Sequence, residues 1–557
     1  MKKTIKFLAA AAMAVVSISQ VSAQSYSSGA DCGCPPISQR QTVNVTTLLN
    51  NNDEFGTPGT TIALDQVFTC DKIYILNKKS YVDSTKTLTI QPGTIIKGAA
   101  SPTGLPVDAT ALVVERGAKL FAQGTASCPI VFTAIGDNLD GTYAYTNRGQ
   151  WGGVVILGNA TNNHNAATST AAFGGTCTGS GCYGTGVGKG YIEGFVAADA
   201  RNQYGGGTTP NDDDNSGILT YVSIRHAGAL LSAGNELNGL SLGSVGRGTK
   251  IENIEIVSND DDGIEFFGGT VNIKYASVLY CNDDAFDWDN GYKGKLQFVF
   301  AVYGDSTNFP ATDNGFEMDG DDKNSNAAPF SAPIVYNATV IGNGEVLLGS
   351  DNSAHAALNF KDGTAGEIYN SVFANFRNGI NFRSLPETGS TVEAYERWFV
   401  DGTLKIKCNV FTEMDVIVVK NASLSNGSGN STTFAADTAK LISTDGNQFV
   451  SSIPGFDPFF TLSGNSVVNR YDAVPTPNLP VSGTGCAVPT SDPFFTAAYY
   501  KGAFSNNERT WLTDWAYGLA LASEQSFGGC PTDIDGSGVT NNSDFLILLG
   551  KFNQSCN

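Results

Sequence analysis

The sequence predicts an all-β fold, a right-handed parallel β-helix, from two observations: six segments that repeat on one template, and a composition suited to short strands and tight turns. The segments are NGLSLG (Asn238 to Gly243), DGIEFF (Asp262 to Phe267), DAFDWD (Asp284 to Asp289), NGFEMD (Asn314 to Asp319), AALNFK (Ala356 to Lys361) and NGINFR (Asn378 to Arg383). Their Gly or Ala positions, 239, 263, 285, 315, 357 and 379, lie 24, 22, 30, 42 and 22 residues apart. A period in this range marks a stacked solenoid. We read a coil of about 22 residues that sometimes carries an insertion, with the 42-residue step close to two coils. Residues one and three places after each Gly or Ala are apolar, as in a strand with one buried face. The handedness follows from the crossover rule for parallel strands. Only 15% of residues are charged and Gly occurs 64 times, which favours turns over long helices.

The elements follow in chain order. Lys2, Lys3 and Lys6 precede an apolar run from Phe7 to Val16, and Val21-Ser22-Ala23 precedes Gln24. This is the pattern of a secretory signal, residues 1–23, cleaved after Ala23. The run is too short to span a bilayer, no later segment is long enough, and no Cys stands at the cleavage point to carry a lipid. The expected location is therefore secreted or cell-surface. Residues 24–64 read as a polar, flexible leader and residues 65–525 as the solenoid, with a Gly- and Asn-rich loop insertion near 164–215. Near its end, Asn506 to Ala522 carries Trp511, Leu512, Trp515 and Leu519 at helical spacing, which predicts an amphipathic helix capping the last coil. Residues 530–557 form a separate small module.

Charge and cysteines narrow the partners. Removing residues 1–23 takes away three Lys and no acid, so the formal charge moves from −20 to −23. Such a chain repels nucleic acid and anionic membranes and attracts divalent cations. Eleven Cys in an exported chain predict disulfides with at least one thiol left over. Cys530 with Cys556 and Cys177 with Cys182 are the expected pairs; no CxxC…CxxC pattern points to zinc.

LTIQPGTIIKG, ERGAKLFAQGTASCPIVFTA, QWGGVVILGNA, NELNGLSLG with VGRGTKIENI, DDGIEFFGGTVN, DDAFDWDNGYKGKLQF and YYKGAFSNNERTW together resemble a large family of bacterial secreted right-handed parallel β-helix proteins. The resemblance covers roughly residues 65–520. It implies the fold and, for many members, export by the type IX secretion route, but no catalytic residues. A type IX sorting domain is not evident after the C-terminal module.

Stacked strands lie about 4.8 Å apart, so equivalent positions form columns. Two residues after the Gly or Ala the outward column reads Ser241, Glu265, Asp287, Glu317, Asn359, Asn381. Four residues after, it reads Gly243, Phe267, Asp289, Asp319, Lys361, Arg383, and one before, Asn238, Asp262, Asp284, Asn314, Ala356, Asn378. Two like charges at that spacing repel by about 3–4 kcal/mol at an effective dielectric near 20, so the stack calls for solvent, raised pKa values or a bound cation. The position before the Gly suits turn chemistry. The outward columns make a candidate cation or carbohydrate site. Glu265, Asp287 and Glu317 are the candidate acid/base groups, with Arg383 or Lys361 set to bind an acidic sugar and Asp284, Asp289 and Asp319 as further ligand-binding candidates.

Other motifs sort quickly. GLSLG matches G-x-S-x-G but lies on a rung, not a strand-to-helix elbow. His164, His226 and His355 are isolated and read as structural. GTGVGKG lacks P-loop spacing. DIDGSGVTNNSD instead fits an EF-hand-type calcium loop, with Asp533, Asp535, Ser537, the Val539 carbonyl, Asn541 and Asp544 as Ca2+ ligands and Gly538 at the turn. With FLILLGKF after it, this resembles half of a dockerin; the single loop leaves a cohesin-like partner unsupported. The expected function is non-catalytic binding or adhesion to glycans or surfaces with structural calcium. The alternatives are a polysaccharide lyase or glycoside hydrolase using the acidic ladder, and a structural coat or filament subunit.

Overall fold

Strand-length apolar runs, each closed by a turn, stack in register as a parallel β-helix. The structure, a computed structural model, describes residues 32–45, 65–101, 108–164, 184–186, 188–192, 194–195, 199–232, 235–304, 313–320, 327–344, 355–383, 393–420, 435–459, 461–463, 466–469, 473–475, 478–483, 485–506, 510–513 and 515–517. The signal segment, the Cys177 and Cys182 pair, and the C-terminal module with Cys530, Cys556 and the Asp533 to Asp544 loop lie outside the described residues.

One face is a ten-stranded parallel sheet. Its strands are Ser80–Val82 (β1), Ala111–Val114 (β2), Gly153–Leu157 (β3), Leu240–Gly243 (β4), Ile264–Phe267 (β5), Phe286–Asp289 (β6), Phe316–Met318 (β7), Ala356–Phe360 (β8), Asn378–Phe382 (β9) and Val416–Lys420 (β10). The six repeats are β4 to β9, adjacent and in register. The inward residues of β6, Phe286 and Trp288, are no more than 1% exposed. Phe286 stacks on Phe316 of the next coil with centroids 5.1 Å apart. Each such side chain contributes about 1.5–3 kcal/mol by leaving water, so the alternation fixes which face turns inward and hence the register.

The other two faces are built from long strands such as Gly217–Arg225, Lys250–Val257, Asn272–Leu279, Lys295–Val302 and Ile334–Ile341. Each is bent by a residue in the left-handed region: Tyr221, Asn253, Tyr275, Phe298 and Asn337, followed by Asn370 and Cys408 in later coils. The register places these residues in one column. None of them is Gly, and the left-handed region is costly for Tyr or Phe. Tertiary contacts compensate, because a C-terminal strap packs onto this corner. Trp515 meets Tyr221, Trp511 meets Tyr275, and Tyr500 meets Phe298. Asn337 Nδ2 donates to the Tyr500 carbonyl and Asn370 Nδ2 to that of Cys486, and Cys486 is bridged to Cys408.

Four boundaries differ from expectation. The 42-residue step is one coil with an insertion, because β7 pairs directly with β8. The solenoid also begins inside the expected leader: Gln41–Asn44 pairs in parallel with Lys72–Leu76, and Cys32–Cys128 and Cys34–Cys70 tie that first rung down. Within the 164–215 insertion, Gly184–Gly186, Lys189–Tyr191 and Gln203–Tyr204 form a small antiparallel sheet. Finally, the described residues of 506–517 form turns, and they lie along the flank of the coils rather than over the last one. Cys281 is buried and unbridged. Among the described residues no helix is long and apolar enough to cross a membrane.

Candidate functional site

The acids of the ladder are positioned by strand register. Glu265 is the direct partner of Asp287, and Asp287 that of Glu317, on β5, β6 and β7. Ser241 precedes Glu265 in the column, and Asn359 and Asn381 follow Glu317. The column faces away from the core, yet Glu265 and Asp287 are only 7% and 9% exposed.

The column before the Gly is turn chemistry at one oxygen of each side chain. Asp262 Oδ1 accepts from the Asp284 amide at 2.9 Å, Asp284 Oδ1 from that of Asn314 at 2.5 Å, and Asn314 Oδ1 from that of Ala356 at 3.1 Å. Each coil thus satisfies the next one's first buried N–H. Asp283 and Asp313, with Asp261, form a further acidic column that the sequence reading missed. Its signal was the acidic residue standing two places before the Gly or Ala in DDG, DDA and DNG.

Among the described residues, three groups of carboxylates converge with ligand oxygens within 4.8 Å of one another: Asp261, Asp262 and Asp283; Asp262, Glu265 and Asp287; and Asp283, Asp284 and Asp313. Their electrostatics show the cost. Burial, then Asp261, Asp287, Asp283 and Glu265, pushes the Asp262 carboxyl well above the usual range. Burial with Glu317, Asp283, Asp313 and Asp262 does the same to Asp284, and burial with Glu317, Asp319 and Asp289 to Asp287. Burial raises Asp313 to about 6.

Neighbouring donors relieve both ends of the outward column. Asn238 Nδ2 donates to Glu265. Asn359 Nδ2 donates to Glu317 Oε1 at 2.8 Å and itself accepts from Asn381. Lys361 Nζ, a candidate for binding an acidic sugar, pairs with Glu317 and Asp319 inside the ladder. Between these satisfied ends, Asp287 Oδ1 is buried with no hydrogen-bond donor. A buried oxygen without a donor is costly, and it lies among converging carboxylates. That combination fits a hard divalent cation, and an all-oxygen donor set suits calcium.

The remaining candidates are not part of this cluster. Ser241 of GLSLG is fully buried on β4, and the chain leaves that strand into a turn, not a helix. His164, His226 and His355 are all buried, His164 against the Tyr204 hydroxyl, and burial lowers His164 and His226 to about 4. Asp289 flanks Asp287, and Arg383 lies near enough to Asp313 to ease its charge.

A family model described as a pectate-lyase-like β-helix domain matches residues 59–185 and 187–449. Comparison with curated proteins returns no match. Among solved structures, the chain is similar to the Agl-KA catalytic domain at 11% identity and a TM-score of 0.23, covering 68% of this chain and 62% of that one. It is also similar to the catalytic domain of a GH87 α-1,3-glucanase in complex with nigerose, at 9% identity and a TM-score of 0.21, covering 72% and 69%.

Proposed function

Because the chain belongs to the pectate-lyase-like β-helix family, we propose that it is an exported binding protein whose acidic ladder holds calcium and, through it, glycans or another polar surface, without breaking a bond. The observation that carries this reading is Asp287, nine-tenths buried, with Oδ1 lacking a donor beside Asp262 and Glu265. Three carboxylates supply part of a calcium shell, and sugar hydroxyls or carboxylates complete it. The disulfides are compatible with an extracytoplasmic home. A second calcium belongs to the Asp533 to Asp544 loop by spacing alone, where it stabilises the C-terminal module.

A second reading, a polysaccharide lyase or hydrolase, is favoured by one observation. Asp287 is held toward its protonated form between Glu265 and Glu317, and carboxyls driven apart in pKa are how acid and base roles are divided. Against it, Glu265 and Asp287 are buried side by side in one column and Glu317 is tied to Lys361.

A panel of polysaccharides assayed for binding, reducing ends and unsaturated products, with and without chelator, tests both. Calcium-dependent binding without turnover is expected, and it should be lost in Asp287→Asn. Turnover abolished by Glu265→Gln or Asp287→Asn would establish the enzyme instead. Failure to bind either calcium or any glycan would leave only a structural subunit.

A further inference from the structure

The β-helix stack ends at Gln448–Val450, which pairs with Val410–Thr412 and with no further strand among the described residues. Phe373, Phe411 and Phe449 stack ring upon ring along this column, with centroids 5.1 and 4.7 Å apart. The outer face of Phe449 is therefore turned toward the end of the solenoid, where the next rung would sit. A cavity of about 460 Å³ opens there, lined by Phe411, Phe449, Phe459 and Met414 with Glu413 and Asp415. Phe459 is 48% exposed and Val450 40%. An open solenoid end exposes its core unless something covers it.

The lining specifies what fits. The cavity has the volume of a small-molecule pocket. An aromatic face receives the C–H side of a sugar ring, and carboxylates accept strong hydrogen bonds from its hydroxyls. Ser451 and Asn375 add polar groups at the wall, and among the described residues no Lys, Arg or His lines it, so an acidic sugar is repelled. We propose that this end cavity binds a neutral pyranose unit of a glycan, at a site separate from the acidic ladder. The proposal rests on the glycan-binding reading above but not on its calcium.

Titration calorimetry of the full chain in chelator, against neutral cello-, xylo-, manno- and chito-oligosaccharides, tests it. At least one is expected to bind. Phe449→Ala should weaken binding about tenfold, the loss expected of an aromatic contact. Asp415→Asn should weaken it about threefold, as for a single hydrogen bond, and Asp287→Asn in the ladder should leave it unchanged. If Phe449→Ala fails to fold, Asp415→Asn, on an exposed side chain, still carries the test. No binding across the panel, or binding unmoved by both end-cavity variants, overturns the proposal. Binding lost only in Asp287→Asn overturns it too, while leaving the ladder reading intact. Dimerisation abolished by Phe449→Ala without sugar binding would assign the face to a second copy of the chain and likewise overturn it.

Discussion

Lys361 Nζ sits 2.5 Å from Glu317 Oε2 on the neighbouring strand, and the same ammonium lies 3.0 Å from Asp319 Oδ2. Burial works to lower the pKa of Lys361, but Asp319, Glu317 and Asp287 outweigh it and hold the group well above its usual value. The lysine thus acts as a built-in cation at one end of the acid column. Removing one partner from a buried pair leaves the other uncompensated, typically at a cost of about 3–5 kcal/mol. Lys361→Met should therefore lose about 3 kcal/mol in urea denaturation under chelator, and calcium should restore part of the loss. An unshifted midpoint would show that the pairing carries no stability.

Asp287 is the opposite case, a carboxyl that burial and its acidic neighbours drive toward its protonated form. Asp287→Asn removes repulsion from Glu317, Asp319 and Asp289 and should leave the calcium-free protein at least as stable as the parent. It should also abolish stabilisation by the ion, which for a single site amounts to about 2.7 kcal/mol at a hundred times the dissociation constant. Thermal melts with and without calcium separate the two effects. A variant that still gains stability from calcium would place the ion elsewhere.

These columns were legible because an apolar alternation with a period of two leaves no freedom of register. Once Leu240, Ile264, Phe286 and Phe316 face inward, Glu265, Asp287 and Glu317 must stand abreast. Burial of the outward face was not legible, because it depends on what lies over the column. The corner residues Tyr221, Tyr275 and Phe298 were invisible for a similar reason. Nothing local favours a left-handed aromatic; the strap 202 to 294 residues later in sequence makes it tolerable. The 42-residue step misled because spacing alone cannot tell an insertion from a second coil.

The turn ladder separates shape from charge. Asn314 Oδ1 holds the buried Ala356 amide and Asp284 Oδ1 the Asn314 amide. Asn314→Ala should orphan a donor and cost about 1–3 kcal/mol. Asp284→Asn keeps an acceptor for the same amide while deleting a carboxylate that burial and Glu317 already disfavour as an ion. It should be neutral or stabilising at neutral pH. Equal destabilisation by both variants in chemical denaturation would show that the charge, not the acceptor, matters at this position.

Glu115 supplies a pH dependence far from the ladder. Its Oε2 accepts from the Ser84 amide at 3.2 Å, and its buried Oε1 has no donor. Burial raises its pKa from 4.5 to about 8, with the nearby Asp83 carboxyl adding to the rise. The folded state therefore holds a proton between pH 4.5 and about 8 that the unfolded chain has released. Stability must fall as pH rises through that window, because the unfolded state binds fewer protons there. Glu115→Gln keeps a neutral side chain at every pH, so its melting temperature minus that of the parent should be near zero at pH 4 and grow steadily toward pH 8. Taking this difference cancels the similar pH dependence of the ladder acids, which both proteins share. A difference that stayed flat across the window would mean that Glu115 ionises normally in the folded protein.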